Sequence, residues 1–454
     1  MTGWAGPPIV LVLAFVACTP APVTRDDPAP EGDRPNILLI ITDDQRDGTM
    51  SMMPDVVRWF GTGGTRYENA YTTTPACCPA RASILSGLYA HNHGIHTNRE
   101  DLDVLQAAEP FMVQRSLRDA GYRTGVFGKY LNNWPNTRDP ASFDRWATTP
   151  FVAFEGEEWN LNGSVRAVTE NSTSFIGDRS REFLRQSEGD DGQPWFLLVT
   201  FMAPHLPATV EPRYVDTELP PFVLDPAMRE VDRTDKPGYV RRRALATPSL
   251  IQDRREPALR SLAAVDDQVD RIMRSLTDMR ELQNTLAVFV SDNGYLWGEH
   301  GRWKKAAPYL PAIEVPLYLR WPGHVAAGAV DRRLAGTLDL GPTMFSAAGL
   351  GSPTELDGRS LLVPSDRSRL LLESWRISDE PTWSAVLTSR WLYTEYTSDR
   401  TGRITFREYY RLREDPYQLV NLLRDGDDAN DPDLGRLATV LGRLRFCSGV
   451  TCPG

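Results

Sequence analysis

The chain has 454 residues, 41% of them hydrophobic and 24% charged, the balance of an ordinary globular protein long enough for two structural units. Its formal net charge of −10 argues against any general affinity for nucleic acid. The same charge would repel an anionic substrate, so a site for one must supply its own local cations.

In chain order, residues 1–17 read first as an export signal. Pro8 to Ala17 is an apolar run that ends in small residues just before Cys18 and is too short to span a bilayer. Phe15-Val16-Ala17-Cys18 resembles a bacterial lipoprotein cleavage box, so the chain is expected outside the cytoplasm. It would be either secreted or held to the cell surface by a lipid on Cys18, its one expected link to a membrane. Residues 18–34, rich in Pro, Asp and Ala, read as a disordered tether.

Beyond the tether, Asn36 to Thr42, Trp195 to Thr200 and Leu286 to Ser291 are apolar runs without alternation. They predict parallel strands covered on both faces, with Val315 to Arg320 as a fourth and Arg123 to Phe127 as another strand. Phe111 to Ala120 reads as a short helix closed by Gly121. Leu259 to Leu282 reads as a longer one, with Leu262, Val265, Val269, Ile272, Met273 and Leu276 on one face. Strands alternating with helices predict an α/β unit over 35–345. From 346 to 454 the segments shorten: Arg369 to Glu373, Ala385 to Thr388 and Trp391 to Glu395, separated by turn residues, predict a smaller α+β unit with an antiparallel sheet. Near the end, Cys447 and Cys452 could close a short disulfide loop in an oxidising compartment and pin the terminus.

Asp43-Asp44 follows the first strand and Asp292-Asn293 follows another. Ligands of open parallel sheets bind outside the carboxyl ends of strands, so the two pairs should converge there. Three carboxylates and an amide make an oxygen shell suited to a hard divalent cation, although either pair alone could equally begin a turn or cap a helix. Between them lies Cys77-Cys78-Pro79-Ala80-Arg81-Ala82-Ser83-Ile84-Leu85-Ser86-Gly87. This stretch resembles the sulfatase signature, Cys-x-Pro-x-Arg with a Leu-(Thr/Ser)-Gly ending. The register selects Cys77, because only Cys77 has Pro at +2 and Arg at +4; the alternative is a buried Cys pair before a helix.

Further segments extend the resemblance from about residue 35 to 425. Gly128-Lys129-Tyr130-Leu131-Asn132 is similar to the N-acetylglucosamine-6-sulfatase version of a family segment, and Gly298 to Lys305 to another. Tyr409 to Leu422 resembles the family's closing Asp-Pro…Asn-Leu stretch. The resemblance implies an alkaline-phosphatase-like fold: a mixed, mostly parallel sheet flanked by helices, plus the small C-terminal antiparallel sheet. It also implies a sulfatase acting on a sulfated small molecule or glycan. Cys77 would be oxidised to Cα-formylglycine by a formylglycine-generating enzyme, and its hydrated aldehyde would attack sulfur.

The resemblance further implies Ca²⁺, with Mg²⁺ as the other possibility, held by Asp43, Asp44, Asp292, Asn293 and the residue derived from Cys77. Arg81 would hold the formylglycine hydroxyl, Lys129 would balance charge, and His205 and Lys305 would bind sulfate or the leaving oxygen. Register favours Lys305 over Lys304. Cys77 is expected at the start of a helix whose backbone N–H groups favour an anion. Many relatives carry a histidine where this chain has Leu131, leaving His91, His93 and His300 as candidate substitutes. Two rival readings stay open on sequence alone: a phosphoester or phosphonate hydrolase of the same superfamily, and a sulfated-glycan-binding protein in which Cys77 is unmodified.

Overall fold

The structure, a computed structural model, describes residues 1–3, 34–189 and 192–453. The expected signal, the tether and Cys18 lie outside the described residues, apart from Met1–Gly3 and Arg34. Among the described residues, no helix is long and apolar enough to cross a membrane.

The large sheet contains β1 (Asn36–Asp43), β2 (Thr65–Tyr71), β3 (Arg123–Lys129), β4 (Arg145–Thr149), β5 (Glu157–Leu161), β6 (Ser164–Val168), β7 (Trp195–Pro204) and β8 (Thr285–Ser291). Two further short strands, β9 (Leu296–Trp297) and β10 (Trp303–Lys304), pair with each other, and β11 (Leu317–Arg320) and β12 (Ala329–Gly336) return to the large sheet. Its order is β12-β2-β11-β8-β1-β7-β3-β4-β5-β6. The four central strands β8, β1, β7 and β3 are mutually parallel.

β1 explains why its sequence does not alternate. Ile37, Leu39 and Ile41 enter one apolar cluster, while Leu38 and Ile40 enter the other, so both faces are covered. The first face lies under the Cys77–Ser86, Val113–Asp119 and Leu340–Ala347 helices, the second under Ser172–Glu188 and Pro248–Asp278.

Three expectations need correction. Val315 to Arg320 was expected to run parallel, but β11 is antiparallel to both β8 and β2. Residues 292–316 hold only two-residue strands, a short 3₁₀ turn and the four-residue Leu310–Ile313 helix, with no crossover helix to carry the chain back across the sheet, so β11 re-enters from the end that β8 left. The long helix begins at Pro248, capped by Thr247, and continues through Pro257, a residue that ordinarily marks a boundary; it stops at Asp278, just before Arg280 turns left-handed at φ 67°. The Phe111–Ala120 segment is a 3₁₀ turn over Glu109–Phe111 followed, after an extended Met112, by the Val113–Asp119 helix. Gly121 does close it, at φ 92°.

The expected small antiparallel sheet is present as β13 (Leu370–Ser374), β14 (Thr382–Leu387), β15 (Trp391–Thr397) and β16 (Ile404–Arg411), in sequential order. Its core includes Leu371, Trp383 and Leu392 together with Leu441 of the Leu434–Leu444 helix. The same cluster takes in Leu296, Tyr309, Ala312 and Ile313 from the excursion between β8 and β11. Cys447 and Cys452 are joined, and the loop docks on the segment after the Cys77–Ser86 helix: the Cys447 carbonyl accepts from Asn92 Nδ2 at 2.9 Å.

We propose that the two sheets behave as one cooperative unit, because they share an apolar core. Denaturant unfolding should show one transition by both fluorescence and circular dichroism, and Leu371→Ala should lower stability by about 2–5 kcal/mol within it. Two resolved transitions would show that the sheets fold separately.

Candidate active site

Four adjacent strands deliver side chains to one edge. β1 ends in Asp43, with Asp44 next at φ 67°; β8 is followed by Asp292-Asn293, β7 by His205, and β3 ends in Lys129. Thr42 pairs with Ser291, so the two acidic pairs leave their strands at the same level. Beside Lys129, Gly128 has φ 116°, and a Cβ there would lie 1.9 Å from the Thr200 carbonyl oxygen. Only glycine lets β3 approach β7 this closely.

Cys77 and Arg81 come from the Cys77–Ser86 helix, every residue of which is buried. Gly87 ends it at φ 74°, its N–H donating to the Ser83 carbonyl at 2.9 Å. The expectation that the helix start offers free N–H groups is only partly met. Ala76 at the N-cap carries no side-chain acceptor, and Asn98 Oδ1 accepts from the Cys78 N–H at 2.8 Å. Asn98 sits in a turn-rich loop whose sequence carries no signal for this role.

These elements bring all of the expected residues together. Cys77 Sγ lies 3.1 Å from Asp43 Oδ1, 3.9 Å from Asp44 Oδ1 and 2.7 Å from Lys305 Nζ. Arg81 donates from Nε to Asp292 at 2.8 Å, from Nη2 to Asp43 at 3.2 Å, and also to the Lys129 carbonyl. Lys129 Nζ reaches Asp43 Oδ2 at 2.5 Å, and Lys305 pairs with Asp44. His205 Nε2 is 3.5 Å from Asp44 Oδ2. Lys304 is exposed, as the choice of Lys305 requires.

The three candidate substitute histidines are engaged elsewhere. His91 binds Glu373 at 2.9 Å, His93 meets Ser83 Oγ at 3.1 Å, and His300 meets Glu230 at 2.6 Å. Leu131 is core. Among the described residues, His205 is the histidine at the cluster.

Burial shapes the electrostatics. It would raise Asp43, but Lys129, His205, Arg81 and Lys305 hold that carboxylate well below its ordinary range. Burial and then Asp43 push the Cys77 thiol far up, against the pull of Lys129 and Lys305. Burial would lower Lys305, yet Asp44, Cys77 and Asp43 hold it well above its usual value. His205 is lowered, chiefly by burial, against the pull of Asp44 and Asp43. Lys305 is therefore a fixed cation and His205 a neutral ring at neutral pH.

One donor atom from each of Asp43, Asp44, Cys77 and Asp292 lies within 4.8 Å of the others. Asp44 Oδ2 and Asn293 Oδ1 are buried without a hydrogen-bond partner, an expensive state for polar oxygens. Asn293 donates its Nδ2 to Asp44 at 2.6 Å, leaving the amide oxygen free. Unpartnered buried oxygens among carboxylates fit a hard divalent cation. Asp43, Asp44 and Asp292 already face Arg81, Lys129 and Lys305, three charges against three. An added cation would leave the site net positive, as an anionic ester requires.

Comparison with known proteins places the chain among sulfatases. The sulfatase family profile matches residues 35–350, and the profile described as N-sulphoglucosamine sulphohydrolase, C-terminal, matches residues 298–433. An extracellular sulfatase SULF-1 homolog of Drosophila melanogaster is 33% identical over 375 residues, covering 78% of this chain. The chain spans 33% of that protein's length. Human N-acetylglucosamine-6-sulfatase is 29% identical over 484 residues, covering 93% of this chain and 86% of that protein. A solved structure of a protein in complex with its substrate D-glucosamine-2-N,6-O-disulfate shares the fold, with a TM-score of 0.75 at 22% identity, covering 90% of this chain and 97% of that one.

Metal analysis of the purified protein should find one divalent cation per chain, and added Ca²⁺ should raise its melting temperature. Asp292→Ala should abolish both effects. A metal-free protein, or a variant that still responds to Ca²⁺, would show that these oxygens do not form a metal site.

Proposed function

The chain belongs to the sulfatase family, and we propose that it is an extracytoplasmic sulfatase that hydrolyses a sulfate monoester on a sugar, with a 6-sulfated hexosamine as the substrate class. The observation that carries this reading is Cys77, set 2.7 Å from Lys305 and 3.1 Å from Asp43 within a shell of buried carboxylates. The motif around Cys77, with Pro79 at +2 and Arg81 at +4, supports a converted side chain there, with a formylglycine-generating enzyme as the maturation partner.

When converted, Cys77 would supply a hydrated aldehyde hydroxyl to attack sulfur. Asp43, Asp44, Asp292 and Asn293 would hold the divalent ion, Ca²⁺ in this reading or Mg²⁺, which supplies Lewis-acid polarisation when bound. Arg81, locked on Asp43 and Asp292, orients the hydroxyl at position 77. Lys129 keeps Asp43 ionised and balances charge. Lys305, fixed as a cation, stabilises the negative charge that develops on the sulfuryl and leaving oxygens. His205 lines the same side and donates a hydrogen bond to the departing sugar oxygen.

The sugar substrate is supported by the human relative named N-acetylglucosamine-6-sulfatase and by the glucosamine disulfate in the structural neighbour. The extracytoplasmic location is supported by the Cys447–Cys452 disulfide and by relatives named extracellular.

When the protein is expressed with a formylglycine-generating enzyme, the peptide bearing Cys77 should be about 18 Da lighter than its unmodified mass. Cys77→Ala should abolish sugar-sulfate hydrolysis, whereas Cys78→Ala should retain most of it. Equal loss in both would mean that the pair has been assigned wrongly.

Leaving-group dependence tests the other roles. The departing oxygen carries most negative charge when the leaving group is poor, so a fixed cation and a hydrogen-bond donor there matter most for a sugar and least for a nitrophenol. Lys305→Ala and His205→Ala should therefore reduce turnover of a sugar sulfate far more than that of a nitrophenyl sulfate. An equal fall on both substrates would make these residues anion clamps only.

A further inference from the structure

The backbone around Lys305 is unusual. Lys304 and Ala306 both occupy the left-handed region, at φ 73° and 70°, without being glycine. Such residues persist only where their surroundings over-determine them. Here Ala306 is tied on both sides. The peptide N–H that joins it to Lys305 donates to the Pro75 carbonyl at 3.0 Å, two residues before Cys77. Its own carbonyl accepts from Trp383 Nε1 at 2.8 Å.

Trp383 stands on β14 of the small sheet and is 1% exposed. A buried indole N–H needs an acceptor. This one bonds across to the catalytic unit, to the carbonyl immediately after Lys305. On the other flank, Arg302 is clamped by Asp379 at 3.0 Å and by Glu380, both just before β14. The excursion that carries Lys305 is thus stapled to the nucleophile's segment at one point and to the small sheet at two.

We propose that Trp383 is a positioning residue for ester hydrolysis: its indole N–H holds Ala306 so that Lys305 keeps its ammonium beside the side chain at position 77. The small sheet is then part of the catalytic apparatus. This rests on the sulfatase reading above, which assigns Lys305 its role.

The test is Trp383→Phe in the full chain matured at Cys77. A second variant carries the isosteric benzothienyl analogue at 383, which keeps the ring's shape and lacks the N–H, should the phenylalanine form fold poorly. Both should lower kcat for a 6-sulfated hexosamine by roughly 10- to 100-fold, the cost of an ångström-scale misplacement, with KM changed by less than about twofold. Nitrophenyl sulfate turnover should fall much less. In a Lys305→Ala background the substitution at 383 should have almost no further effect, since residues acting as one unit are not additive. A crystal structure of the variant should show Lys305 Nζ withdrawn from position 77.

A substrate profile unlike that of Lys305→Ala, full additivity with Lys305→Ala, or an unmoved Lys305 would overturn the proposal. If the unsubstituted protein hydrolyses neither ester, the sulfatase reading has failed, and the position of Lys305 in the variant structure decides the positioning claim alone.

Discussion

The cluster at the carboxyl ends of the strands depends on the burial of one carboxylate, Asp43. It is wholly inaccessible, yet it accepts from Lys129, Arg81 and Cys77 and lies 3.9 Å from Lys305. A buried charge left alone costs several kcal/mol, and so does each cation that neutralises it. The arrangement is tolerable only as a set: Arg81 is shared with Asp292, Lys305 with Asp44, and Asp44 with His205 and Asn293. Because every member compensates another, each side chain has little freedom to turn. That restriction is the preorganisation that electrostatic catalysis needs.

The sheet makes such a set possible. Four parallel neighbours, β8, β1, β7 and β3, end at one edge, so residues from four distant parts of the sequence meet without long loops. The contribution of Lys305 depends on β11 running the other way. Since the chain does not cross the sheet after β8, residues 292–316 remain at the edge where Asp43 and Asp292 lie, and Lys305 is carried there by default. The same excursion supplies Tyr309, Ala312 and Ile313 to the core of the small sheet, which ties that sheet to the edge by packing as well as by hydrogen bonds.

Much of this was legible in the sequence for identifiable reasons. Strands covered on both faces read as unbroken apolar runs, and β1, β7 and β8 were placed within a few residues. The acidic pairs were legible because a strand end is a fixed place in a parallel sheet, and Cys77 because its motif sets a register. What escaped was whatever depends on contacts distant in sequence. The direction of β11 is decided by the absence of a crossover helix, which a four-residue run does not announce. Pro257 reads as a boundary, yet packing carries the helix through it. Asn98 and Trp383 bear no motif at all, since each acts through a single hydrogen bond to backbone far along the chain.

The depth at which Cys77 lies has a consequence in time rather than in space. Its residue is 1% exposed, begins a helix buried along its whole length, and faces Lys305 and Asp43 on its reactive side. Asp292, which closes the cluster through Arg81, lies 211 residues further along the chain than that arginine. During synthesis there is therefore an interval in which the Cys77 thiol has emerged but its enclosure has not. An enzyme that alters this sulfur would find it accessible within that interval, before β8 joins the sheet. Under the conversion proposed for Cys77, modification and folding would compete for the same chain, and the yield of active protein would be set by which arrives first.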